Sequence, residues 1–127
     1  MPAKPVPTPN APPVAGPYSP AVRAGDWLVL AGQIGFDPAS GEIPTRLGDQ
    51  ARQALANVAT VLADCGGALT DVAKVTVFTT AIGNMGEIND VYAEAFGSHR
   101  PARSTIGVAG LPADAAIEIE VWAYVPA

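Results

Sequence analysis

Over residues 117–124 apolar and polar positions alternate without a break. Ile117, Ile119, Val121 and Ala123 fall on one side, and Glu118, Glu120, Trp122 and Tyr124 on the other. A period of two is that of a strand, with the aliphatic side turned to a core. A second strand is predicted at about 103–109, with Arg103, Thr105 and Gly107 on one face and Ser104, Ile106 and Val108 on the other. Lys74 to Thr80 is β-branched and aromatic and reads as a third. Near the start, strands at about 20–24 and 26–31 are joined at Gly25-Asp26, and Trp27 to Ala31 is apolar on both sides, the pattern of a strand covered twice.

The period changes elsewhere. Leu47, Ala51, Leu55, Val58 and Leu62 recur at helical spacing up to Gly66-Gly67. Ile88, Val91, Tyr92, Ala95 and Phe96 form the stripe of a second helix, with Asn84 placed to cap it and Glu87 to complete a capping box. The stretch Asp37-Pro38-Ala39-Ser40-Gly41 carries turn chemistry. Eight of the first twenty residues are proline, so residues 1–15 are expected to form an extended arm, mobile or hugging the surface, and residues 16–127 the folded domain. The order ββαβαββ predicts an α+β domain, a mixed sheet with two helices on one face.

Two helices cover one face and leave the other, which carries Trp122 and Tyr124 beside Glu118 and Glu120. Large aromatics on a bare sheet suggest burial against other copies of the chain. The alternative is an ordinary amphipathic surface with solvated carboxylates, and periodicity alone leaves both open.

Composition narrows the chemistry. A chain of 127 residues has room for one core. Cys65 is the single cysteine, so no internal disulfide forms and a reducing, cytoplasmic setting is expected. No apolar run reaches the ~20 residues of a membrane span, and the first residues lack the apolar stretch of a signal peptide. The net charge is −5 with no basic run, which argues against nucleic acid as a partner. One histidine, no cysteine pair and no phosphate-cradling glycine motif offer no metal or cofactor site.

Several short segments, in order, resemble the RidA/YjgF family, also labelled endoribonuclease L-PSP or translation initiation inhibitor. They are Gly16-Pro17-Tyr18-Ser19-Pro20-Ala21, Ala31-Gly32-Gln33-Ile34, and Gln50 through Asn57. Further on come Asn89-Asp90-Val91-Tyr92, Pro101-Ala102-Arg103-Ser104-Thr105 and Ile117-Glu118-Ile119-Glu120. Together they span about residues 16–125. The resemblance implies a chorismate-mutase-like fold and a homotrimer whose sheets build a central β-barrel, with a small-molecule site in each cleft between subunits. It also implies hydrolysis of reactive enamines and imines, such as 2-aminoacrylate and 2-iminopropionate, to a 2-keto acid and ammonia.

That reaction asks for a carboxylate anchor and a placed water. A guanidinium binds a carboxylate through two parallel hydrogen bonds. Arg103 matches the family's carboxylate-binding arginine; taken without the resemblance, it reads as an ion-pair partner of Glu118 or Glu120 holding two strands together. Glu118 matches the family's site glutamate, suited to orient or activate water, and Glu120 points the same way one pleat further on. Tyr18 and Asn89 match pocket positions, and Gly32 and Ile34 are expected to supply backbone and wall. Thr105 and Ala31 stand where close relatives have cysteine and often serine, which puts substrate range in question. His99 reads as a surface residue and Cys65 as structural. Two rival functions remain at this point: a trimer that binds 2-keto acids without turnover, and a ribonuclease or translation inhibitor.

Overall fold

A computed structural model describes residues 2–127. Its elements are β1 (Lys4–Pro5), β2 (Ala21–Ala24), β3 (Trp27–Leu30), β4 (Gln33–Ile34), α1 (Leu47–Asp64), β5 (Val72–Thr79), α2 (Met85–Phe96), β6 (Ala102–Gly107) and β7 (Ile117–Tyr124). The strands form one sheet in the order β1-β2-β3-β7-β5-β6, with β4 also pairing to β7. β5 and β6 run parallel, joined through α2, and the other pairs are antiparallel. The sheet is therefore mixed, with both helices on one face.

The alternation of β7 sets which face is which. Ile117, Ile119, Val121 and Ala123 are fully buried under the helices, while Trp122 and Tyr124 are each 48% exposed on the far face. On α1 the stripe Ala51, Leu55, Val58 and Leu62 is buried as its spacing predicts. On α2 Ile88, Val91, Tyr92 and Phe96 are buried, whereas Ala95 is exposed.

Three expectations change. Trp27 to Ala31 is not covered twice: Leu28 and Leu30 are buried, but Trp27 is exposed and Val29 half-buried. Trp27 instead packs edge-on against Trp122 and Tyr124, at ring-centroid distances of 6.4 and 5.2 Å, on the helix-free face. Asn84 makes no side-chain cap on α2. Glu87 reaches across to accept a 2.9 Å hydrogen bond from the Gly48 N–H of α1, where unsatisfied donors and the positive helix end favour a carboxylate. His99 is half-buried, its Nε2 2.7 Å from the Val72 carbonyl, which ties the loop after α2 to β5.

The proline arm lies along the surface of the domain. Lys4 and Pro5 add an edge strand opposite Arg23 and Val22, and the Val6 N–H donates to the Ala21 carbonyl at 3.0 Å. Proline is tolerated at such an edge because its missing donor faces away from the ladder. Further along, Asn10 is clamped to Asp64 at the end of α1: its backbone N–H and Nδ2 donate to the two carboxylate oxygens at 2.9 and 2.7 Å. Pro12 is buried.

Candidate functional site

Glu118 stands on the helix-free face of β7, opposite Ile34 of β4. β4 is held there from behind by α1. Asn57, buried in that helix, donates through Nδ2 to the carbonyls of Ile34 and Phe36 at 3.0 and 2.8 Å. Gln50, also buried, accepts the Ala116 N–H at 2.9 Å and so fixes the entry to β7. Gly32 completes the seat: a Cβ there would lie 2.7 Å from Cδ of Glu118, so only glycine lets the carboxyl group pack against this backbone. Burial raises the Glu118 pKa above the ordinary glutamate range, and the like charge of Glu120 raises it further.

A cavity of about 410 Å³ opens beside Glu118, and Tyr18, Gly32 and Ile34 line it as well. Glu120 shares the face of Glu118 but does not line the cavity. Ala31 does not line it either; its N–H bonds the Pro20 carbonyl at 2.9 Å.

Arg103 lies elsewhere. In the parallel pairing it sits beside Val75, a fully buried residue of the helix-covered face, at the outer edge of the sheet. Its guanidinium carbon lies 4.7 Å above the ring of Tyr92 on α2, a cation–π contact that orients the planar group. Burial raises the Tyr92 pKa, and the charges of Arg103 and Arg100 act against that rise. The Tyr92 hydroxyl is buried with no hydrogen-bond partner among the described residues. Arg103 and Asn89 line a shallow cleft with Tyr92 and Pro101. Thr105 follows on the face of Arg103, half-buried beside Val77, and lines neither hollow.

One chain thus holds the candidate residues in two groups: Tyr18, Gly32, Ile34 and Glu118 on the open face, and Arg103, Asn89 and Thr105 at the covered edge. An ion pair between Arg103 and Glu118 or Glu120 does not form; among the described residues the one salt bridge joins Arg52 to Asp49. No three His, Cys, Asp or Glu side chains among the described residues converge as a metal site. Among the described residues no helix is long and apolar enough to cross a membrane.

Sequence reasoning did not single out Asn57 or Gln50 as supports of the site. The signal was present, since both are polar residues, seven apart, on the apolar stripe of α1. Buried polar side chains on such a stripe hold partners.

Comparison with known proteins adds the following. The family described as endoribonuclease L-PSP matches residues 8–125. A RutC family protein of Pyrococcus horikoshii is 48% identical over 92% of this chain and 94% of its own length. A protein of Dermatophagoides farinae named 2-iminobutanoate/2-iminopropanoate deaminase is 45% identical over 89% of each chain. The crystal structure of the YjgF gene product of Escherichia coli superposes with a TM-score of 0.90 at 39% identity, covering 95% of this chain and 98% of that one.

Proposed function

Because this chain belongs to the endoribonuclease L-PSP family, the RidA/YjgF proteins, we propose that it is an enzyme that hydrolyses 2-imino acids and their enamine tautomers to 2-keto acids and ammonia. The site in this reading lies between copies of a homotrimer. Arg103 of one copy holds the substrate carboxylate through two parallel hydrogen bonds, and Glu118 of the next faces the imine carbon. Glu118 takes a proton from a water that adds to that carbon. That proton goes to the nitrogen to give a carbinolamine; the carbinol hydroxyl then gives up its own proton, relayed by Glu118 to the amino nitrogen, as the C–N bond breaks, so that ammonia leaves and the carbonyl forms. Imines hydrolyse readily, so placement of three groups is enough to give a useful rate.

The observation that carries this reading is the Arg103 guanidinium, oriented over Tyr92 and, among the described residues, without a carboxylate partner. A cation held in that way is suited to bind an anion from outside. Trp27, Trp122 and Tyr124, gathered and exposed on the helix-free face, support assembly of that face against other copies. The twelve acidic residues against seven basic ones favour a small acid over RNA as the substrate.

The test is 2-keto acid release from 2-aminoacrylate, generated in place by a serine dehydratase, with semicarbazide competing for the imine. Wild type is expected to accelerate release and Arg103→Ala to lose the acceleration while remaining a trimer. No acceleration by a well-folded wild-type trimer would sink deamination of this substrate. Saturable binding of a 2-keto acid without turnover would favour a binding protein instead.

A further inference from the structure

The cavity beside Glu118 has a wall that the deamination chemistry does not require. Pro12, Pro13, Val14 and Ala15 of the proline arm line it, as do Phe36 and Pro112. None of these side chains can donate or accept a hydrogen bond, so this end of the cavity can select only for shape and apolar surface. The three-carbon 2-iminopropionate has six heavy atoms, and at roughly 30 Å³ per water-sized group it would fill roughly 180 Å³, less than half of the space. The observed 410 Å³ falls within the range of small-molecule sites.

The arm is anchored just ahead of this wall. Asn10 is clamped by two hydrogen bonds to Asp64, Pro12 is buried, and the arm is paired as β1 on its other side. Consecutive prolines at 12 and 13 restrict the backbone between that clamp and the cavity. An apolar surface held in place before binding loses little entropy when a ligand arrives.

On the footing of the deaminase reading, we propose that the arm segment Pro12–Ala15 is a specificity-determining wall, and that this protein selects 2-imino and 2-keto acids with branched or long aliphatic side chains over the three-carbon compounds. The carboxylate and the reacting carbon remain with Arg103 and Glu118; the side chain beyond the reacting carbon lies against the arm. Aliphatic carbons gained in an apolar pocket change selectivity by about tenfold or more.

Binding of two stable products, 4-methyl-2-oxopentanoate and pyruvate, to the intact protein reads this directly, followed by kcat/KM for the two corresponding imines. Wild type is expected to bind the branched acid at least about tenfold more tightly and to show the same preference in kcat/KM. Ala15→Phe fills the wall side of the cavity and is expected to reduce that ratio about tenfold or more. Asp64→Ala, at the end of α1 and outside the cavity lining, removes both acceptors of the Asn10 clamp, frees the arm, and is expected to reduce the ratio in the same direction, which keeps the test sound if the first variant folds poorly. A wild-type ratio near one, or a ratio that neither variant moves, overturns the arm as a selective wall while leaving deamination intact. Failure of every 2-keto acid to bind and of every imine to turn over instead removes the deaminase reading, and this inference with it.

Discussion

Arg103 and Glu118 stand on opposite faces of the same sheet: Arg103 is level with the buried Val75 on the helix-covered face, and Glu118 is level with Ile34 on the open one. No rotation of either side chain brings both to one ligand within a chain. A reaction that needs both residues must therefore draw them from different copies, which is a stronger demand for assembly than an exposed aromatic patch makes.

That relationship predicts complementation. In the proposed trimeric deaminase, Arg103→Ala and Glu118→Ala are each expected to be inactive. Mixed trimers formed from equal amounts of the two should regain about a quarter of wild-type activity, since a random ring places the intact arginine beside the intact glutamate at about one interface in four. The measurement is 2-keto acid release before and after subunit exchange, and an unchanged rate after verified exchange would show that no site is shared.

Gly32 is expected to be a positioning residue. The Cβ of Gly32→Ala would meet Glu118 Cδ at 2.7 Å, and the glutamate side chain is the part able to yield. Thermal stability should change little while kcat falls by up to ~10²-fold, the effect of displacing a reacting group by about 1 Å. Equal losses in stability and rate would indicate a backbone defect instead.

The pH profile should report Glu118. It accepts a proton only when ionised, so kcat/KM is expected to rise with pH through an apparent pKa above the ordinary glutamate range, because burial first and Glu120 second raise it. Glu120→Gln removes the like charge and leaves the burial. The acid limb should then move to lower pH without reaching that of an exposed glutamate. A limb that stays in place in Glu120→Gln would assign the titration to another group.

Asn57→Ala is expected to cost about 1–3 kcal/mol in denaturant unfolding, since two part-buried carbonyls, of Ile34 and Phe36, lose their donor. Activity should fall beyond what stability explains, because β4 carries one side of the Glu118 cavity. Unfolding at the wild-type denaturant midpoint would show that water replaces the amide there.

Much of the fold was open to reading before any coordinates. The strict period of two in residues 117–124 sorts Ile119 inward and Trp122 outward whatever the rest of the chain does, because successive side chains of a strand must point to opposite faces. The helical stripes and glycine stops follow in the same way from local geometry, and the family resemblance carried Arg103 and Glu118 as candidates. Local period does not carry the pairing of distant segments. The Lys4–Pro5 strand exists because Arg23 and Val22 present a free edge, and the Gln33–Ile34 strand because Asn57 holds its carbonyls from another element. Glu87 had the spacing for a capping box, yet it serves the unsatisfied Gly48 N–H of α1, a donor 39 positions away. Above all, a face assignment says only that Arg103 and Thr105 share a side of one strand. Which side of the sheet that is depends on the parallel register of β6 with β5, a long-range pairing, and only that register places the arginine away from the glutamate.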